Sequence, residues 1–233
     1  MKKLFTVLAV LLVATTLFAG VTVKAGGTYA FGSFNSVTNE ETTAYAKEMK
    51  MKAKGFGFGA GVQADIADNL AVYAEFSMAF PSDAEYKRGD SDWVKLSEWK
   101  KAEGDDASYK INFLSAAVGV AYKLDFNAVK LAVGGGVSFE YSVTKTKFKP
   151  ALNITWENKD TFATIGLNAL VDAKYMFADN IGAGVTLNPQ LGLYSIAKHV
   201  QTSSDSDPVV TEEAKGFAVS FAMPIVVGVS YTF

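Results

Sequence analysis

The chain has 233 residues, 22 of them Lys or Arg and 24 Asp or Glu, and its net charge of −2 gives no basic surface for a nucleic-acid partner. It contains no Cys, which excludes disulfides, thiolate chemistry, Cys-based zinc sites and a lipoprotein anchor through an N-terminal Cys. Hydrophobic residues make up 49% of it, and the charged ones collect in separate stretches, so the apolar residues are concentrated in what remains.

At the N-terminus, Lys2 and Lys3 precede an uncharged run from Leu4 to Phe18. That run is short of the about 20 apolar residues a spanning helix needs, and has the form of a secretory signal peptide. Residues 1–19 are therefore read as a signal and 20–233 as the mature domain. Cleavage is expected after Ala19; a cut after Ala25 is the alternative and would remove half of the first strand.

From there a period of two recurs, the mark of a strand with unlike faces. Val21, Val23, Ala25, Tyr29 and Phe31 alternate with Thr22, Lys24, Gly26, Thr28 and Ala30. A polar stretch, 35–54, leads to Phe56, Phe58, Ala60, Val62, Ala64 and Ile66, set against glycines, Gln63 and Asp65. Asp68-Asn69 signals a tight turn, after which Leu70, Val72, Ala74, Phe76, Met78 and Phe80 oppose Tyr73, Glu75 and Ser77. The longest polar stretch, 82–108, precedes a strand with Leu114, Val118, Val120 and Tyr122 on one face and Lys123 on the other. Asp125 to Asn127 turns the chain into Val129, Leu131, Val133, Val137 and Phe139, opposed by Lys130 and Glu140. A polar stretch, 144–160, leads to Ile165, Leu167, Val171 and Tyr175 against Asn168, Asp172 and Lys174. Asp179-Asn180 turns again into Ile181, Val185, Leu187, Leu191 and Leu193. A last polar stretch, 197–215, opens the final strand, where every odd position from Phe217 to Phe233 is bulky and apolar.

Eight strands joined alternately by short turns and long polar stretches put all the turns at one end and all the loops at the other. An all-β, eight-stranded antiparallel up-and-down transmembrane β-barrel has that asymmetry. A soluble barrel with its apolar face inward is the rival. An eight-stranded barrel is only just wide enough inside for side chains, which suits the Gly- and Ala-rich face. That face also carries Lys24, Asp65, Glu75, Lys123, Lys130, Glu140, Asp172 and Lys174, costly in lipid but able to pair inside. Aromatics gather at both rims: Tyr122, Tyr175, Phe177, Tyr231 and Phe233 at the turn end, and Phe31, Phe56, Phe80, Phe139 and Phe217 at the loop end. Pro189 and Pro224 fall inside the last two strands, where each removes a ladder donor, so a bulge or local gap is expected there.

The signal, the eight strands, the alternating loop lengths and the terminal Ser-Tyr-Thr-Phe together resemble the small outer-membrane β-barrels of double-membraned bacteria, the outer-membrane protein A and X type. The resemblance implies short periplasmic turns, four long extracellular loops, residence in the outer membrane as a monomer, and contact with its lipid, with lipopolysaccharide or with a host surface. It also implies that the assembly machinery of that membrane reads Val227, Val229, Tyr231 and Phe233 in the last strand. Outer-membrane lipid hydrolases of similar size use a His with a Ser and an acid. Here His199 stands beside Ser203, Ser204 and Asp205, and is read as a solvated loop residue. The acids at 83–92 and 103–106 match no calcium-loop spacing, so neither metal nor cofactor is expected. Arg88-Gly89-Asp90 is the tripeptide integrins read, and Asn153-Ile154-Thr155 matches a glycosylation acceptor. The leading expectation is a non-enzymatic barrel whose lumenal charges form a plug. A narrow porin-like channel lined by the same residues is the alternative, and a lipid hydrolase the third.

Overall fold

A computed structural model describes residues 20–35, 49–88, 91–104, 106–149, 154–204 and 206–233. The expected signal peptide, Gly89, Asp90 and Asn153 lie outside these residues. In chain order the elements are β1 (Val21–Asn35), β2 (Met49–Ala67), β3 (Leu70–Arg88), β4 (Val94–Lys95), α1 (Leu96–Glu103), β5 (Ser108–Phe126), β6 (Val129–Phe148), β7 (Trp156–Met176), β8 (Ile181–Leu187), β9 (Gln190–Ser203) and β10 (Ser206–Thr232). β4 is a two-residue side strand on β3, and β8 and β9 are halves of one crossing between β7 and β10. Eight antiparallel crossings follow chain order, and the ring closes where β1 pairs β10 from Thr22–Thr232 to Ser33–Phe221. Within the apolar belt closure leaves no sheet edge, so backbone donors and acceptors are met between strands, as a span through hydrocarbon requires.

The apolar face points out. Val118, Leu167, Val227 and Val229 are exposed, while their neighbours Ala117, Asn168, Val226 and Ser230 are buried. The short connections hold the turn end together; at one of them Asn127 takes φ 61°, a left-handed conformation Asn tolerates.

Two features depart from the sequence reading, and the local gap it expects at Pro189 is present. The polar stretches are only partly loops: β2 begins at Met49, β3 runs to Arg88, β6 to Phe148, β7 starts at Trp156, and β9 and β10 meet at Ser203 and Ser206. Beyond the apolar belt the outer face is wet, so the alternation in hydropathy fades although the ladder continues. The helix α1 and the strand β4 lie in the longest such stretch. Finally, the seventh crossing breaks at Asn188-Pro189 with no change of register, since Asn168–Gln190 and Val171–Leu187 flank it evenly. Ala169 N donates to Pro189 O and Asn188 N to Pro224 O across this gap. The bulge sits a few residues on, between Ile165–Tyr194 and Gly166–Gly192. Leu193 and Tyr194 both point outward there, so the parity of β9 reverses and Ser195, Ala197 and His199 face the lumen.

Candidate functional site

The lumen is filled in three tiers. At the turn end, Lys24 on β1 reaches across to β3 and β7: its Nζ lies 2.7 Å from Glu75 Oε1 and 3.0 Å from Asp172 Oδ1, and donates to Thr186 Oγ1 at 2.8 Å. Thr186 in turn donates to Asp172 Oδ1 at 2.6 Å. Lys174 Nζ stands 3.3 Å from Asp172 Oδ2 and donates to Gln63 Oε1 at 3.5 Å. Two cations and two carboxylates thus balance inside a wall of small residues. Gly61 makes the space, since a Cβ there would lie 2.4 Å from Glu75 Oε2 and 2.5 Å from Lys24 Cε.

The other four charges on the inward face stand apart from this quartet. Lys123 donates to Asp65 near the turn-end mouth, and Lys130 donates to Asp125 of the turn. Glu140 is buried higher up, where Ser220 Oγ donates to its Oε2 at 3.4 Å. Gln63, Thr186, Asp125 and Gly61 belong to these arrangements without having been marked by the sequence. Gln63 and Thr186 share the parity of the charged face and were readable as lumenal; what they touch was not.

Above the quartet lies a tier of polar groups whose one carboxyl, among the described residues, is Glu140, in register with Ser115 and Thr164. Asn168 Nδ2 donates to Tyr73 Oη at 2.7 Å and to Asn188 Oδ1 at 3.0 Å, Gln190 Nε2 donates to Ser115 Oγ, and Thr164 and Ser195 share a hydrogen bond of 3.0 Å. The loop-end tier is apolar: Phe34, Met51, Ile111, Phe113 and Phe162 are buried together, with Leu96 of α1 closing over them. The Phe34 ring centroid lies 5.4 Å from that of Phe113 and 6.1 Å from that of Phe162. The sequence reading gave the inward face as lean and charged throughout. Toward the loop end that expectation fails, because these bulky residues lie near the ends of strands, in or beside the stretches read as loops.

A cavity of about 340 Å³ at the loop end, lined by Tyr86, Trp99, Asn158 and Asp160 among others, and one of about 330 Å³ at the turn end, lined by Asp65, Lys123, Lys130 and Lys174 among others, cap the filled middle. His199 is buried, not solvated, with Nδ1 2.6 Å from Asp160 Oδ1. Ser203 lies four residues along β9, roughly 13 Å away, and Ser204 Oγ accepts from Thr155 N at 3.2 Å. Asp205 is outside the described residues. Among the described residues no group of acids and His could hold a metal ion.

Val227, Val229 and Tyr231 of β10, with Phe233 just beyond its end, form one outward file, all exposed. Arg88 ends β3.

No curated protein sequence matches the chain. Among solved structures it is similar to a major outer membrane protein of Thermus thermophilus, at 15% identity and TM-score 0.57 over 90% of this chain and 99% of that one. It is also similar to OprG of Pseudomonas aeruginosa, at 13% identity and TM-score 0.55 over 93% and 96%. The outer membrane protein AlkL gives 12% identity and TM-score 0.50 over 93% and 90%. At such identities the likeness concerns the fold. The model of a family described as outer membrane protein beta-barrel domain matches residues 5–233. With the closed ring and the apolar outer belt, this places the protein in the bacterial outer membrane, crossed by strands: the chain belongs to the outer membrane protein beta-barrel domain family.

Proposed function

We propose that the protein is a non-enzymatic barrel whose plugged lumen anchors surface loops for envelope integrity or contact at the cell surface. The observation that carries this reading is the packing of the middle of the lumen. The quartet at Lys24, Glu75, Asp172 and Lys174 and the cluster around Phe34 and Phe162 lie one above the other, and the two cavities stay at the ends. A buried, paired quartet resists opening because separating one partner leaves a charge uncompensated. The dyad of His199 and Asp160 supports a structural role, since neither Ser203 nor Ser204 is placed as its nucleophile. The outward file ending at Phe233 supports recognition by the assembly machinery, as the family resemblance implies.

The charged and polar lining of the end cavities favours the second reading, a narrow ion path. Planar bilayers holding the refolded protein separate the two. The plug gives conductance at the level of the bare bilayer; stable single-channel steps would establish the path and remove the plug.

A further inference from the structure

Outside the barrel, above the apolar belt, three lysines stand in one cross-strand file. Lys110 of β5 is in register with Lys145 of β6, and Lys145 with Lys159 of β7. Neighbours in such a file hold their Cβ atoms about 4.5–5.5 Å apart, and like charges directly opposite are destabilising. Among the described residues none of the three forms an ion pair with a carboxylate, whereas one row farther out Lys147 lies 2.8 Å from Glu157. Among the described residues, then, no carboxylate offsets this repulsion, which an anion bound from outside would neutralise.

Position says what that is. The next row toward the belt is Asn112, Val143, Thr161 and Lys198, and the row after it is Leu114, Tyr141, Ala163 and Ile196. Lys145 stands four residues along β6 from Tyr141, so the cations lie at most roughly 13 Å above that apolar row, the depth of a headgroup layer. Beside Lys110 the pairing of β3 and β5 stops at Ala79–Phe113. There a cavity of about 360 Å³ opens, lined by Phe80, Ser82, Lys100, Ser108 and Lys110 among others, and Lys100 of α1 adds a fourth cation.

We propose that this file is a headgroup site for a phosphate-bearing lipid of the outer leaflet. Its phosphate oxygens bridge Lys110, Lys145 and Lys159, its polar body enters the cavity against Phe80, and its acyl chains run down Leu114, Tyr141 and Ile196. The inference deepens the surface-contact reading and rests on the outward placement of the loop end. It does not depend on the lumen: a conducting barrel would remove the plug and leave this site intact.

The test uses the full barrel refolded in zwitterionic phosphocholine micelles, with diphosphoryl lipid A as probe. With each Lys contributing alike, K110Q/K145Q/K159Q should bind lipid A roughly a hundredfold more weakly than the unaltered protein. Inorganic pyrophosphate and dextran sulfate should fail to displace the lipid at equal concentration. Unfolding adds a crossover: without lipid A, K145Q should unfold at the same temperature as the parent or higher, because repulsion is relieved; with lipid A the parent should overtake it. Should the triple variant not fold, K145Q alone should bind roughly fivefold more weakly. Equal affinity of parent and variant, absence of the crossover, or displacement by either soluble anion would overturn the proposal.

Discussion

The turn-end and loop-end halves of the lumen are lined by the same crossings, yet they exclude water by different means. Near the turns, Lys24, Glu75, Asp172 and Lys174 meet with Thr186 and Gln63 as neutral partners. Near the loops, Phe34, Met51, Phe113 and Phe162 pack without a charge among them. A quartet of ions gains its stability from completeness: each charge is tolerable only while its partners remain. An apolar cluster gains it from volume, and each member contributes by the space it fills. The first half is therefore brittle to single changes, the second graded.

Breaking the quartet should have the largest effect. Lys24→Met leaves Glu75 and Asp172 without the ammonium that lies between them, and should cost about 3–5 kcal/mol. Urea unfolding in micelles at low ionic strength, followed by tryptophan fluorescence, measures it. A loss no greater than that of a surface lysine would show that water reaches the quartet. In the other half, Met51→Ala removes a fully buried side chain whose sulfur lies 3.5 Å from Thr144 Oγ1. It should cost about 2–3 kcal/mol, the lower part of the range for such truncations, because an unbranched thioether fills space adaptably. Met51→Leu in the same assay should recover most of the loss if volume is what matters there.

The contrast also explains what could be read in advance. Period two fixed the crossings, their order and the outward face, because lipid outside and crowding inside impose opposite demands on alternate residues. Two kinds of detail escaped. Past the belt that demand lapses, so Met51 and Phe162, which begin the inward face of the loop end, sat in or beside stretches that read as loops. Parity also fails wherever a strand takes an extra residue: the bulge at Leu193-Tyr194 turned His199 from the wet side to the lumen, against Asp160. In the quartet, alternation showed which charges face inward but not which meet. Barrel closure and stagger join Lys24 to Asp172 across 148 positions and leave Glu140 with Ser220.

The smallest effect sharpens the same comparison. Asp65 and Lys123 form the ion pair nearest in kind to the quartet, but their side chains remain 30% and 28% exposed at the turn-end mouth. Solvent screens such a pair, and holding two long side chains together costs rotamer freedom, so Lys123→Gln should cost at most about 1 kcal/mol. Salt gives the second axis. Raising ionic strength to about 1 M shrinks the screening length to roughly 3 Å, which should erase the difference between Lys123→Gln and the parent while leaving most of the loss in Lys24→Met. If both losses fade together with salt, the quartet is as wet as the mouth, and the division of the lumen into a sealed middle and an open end fails.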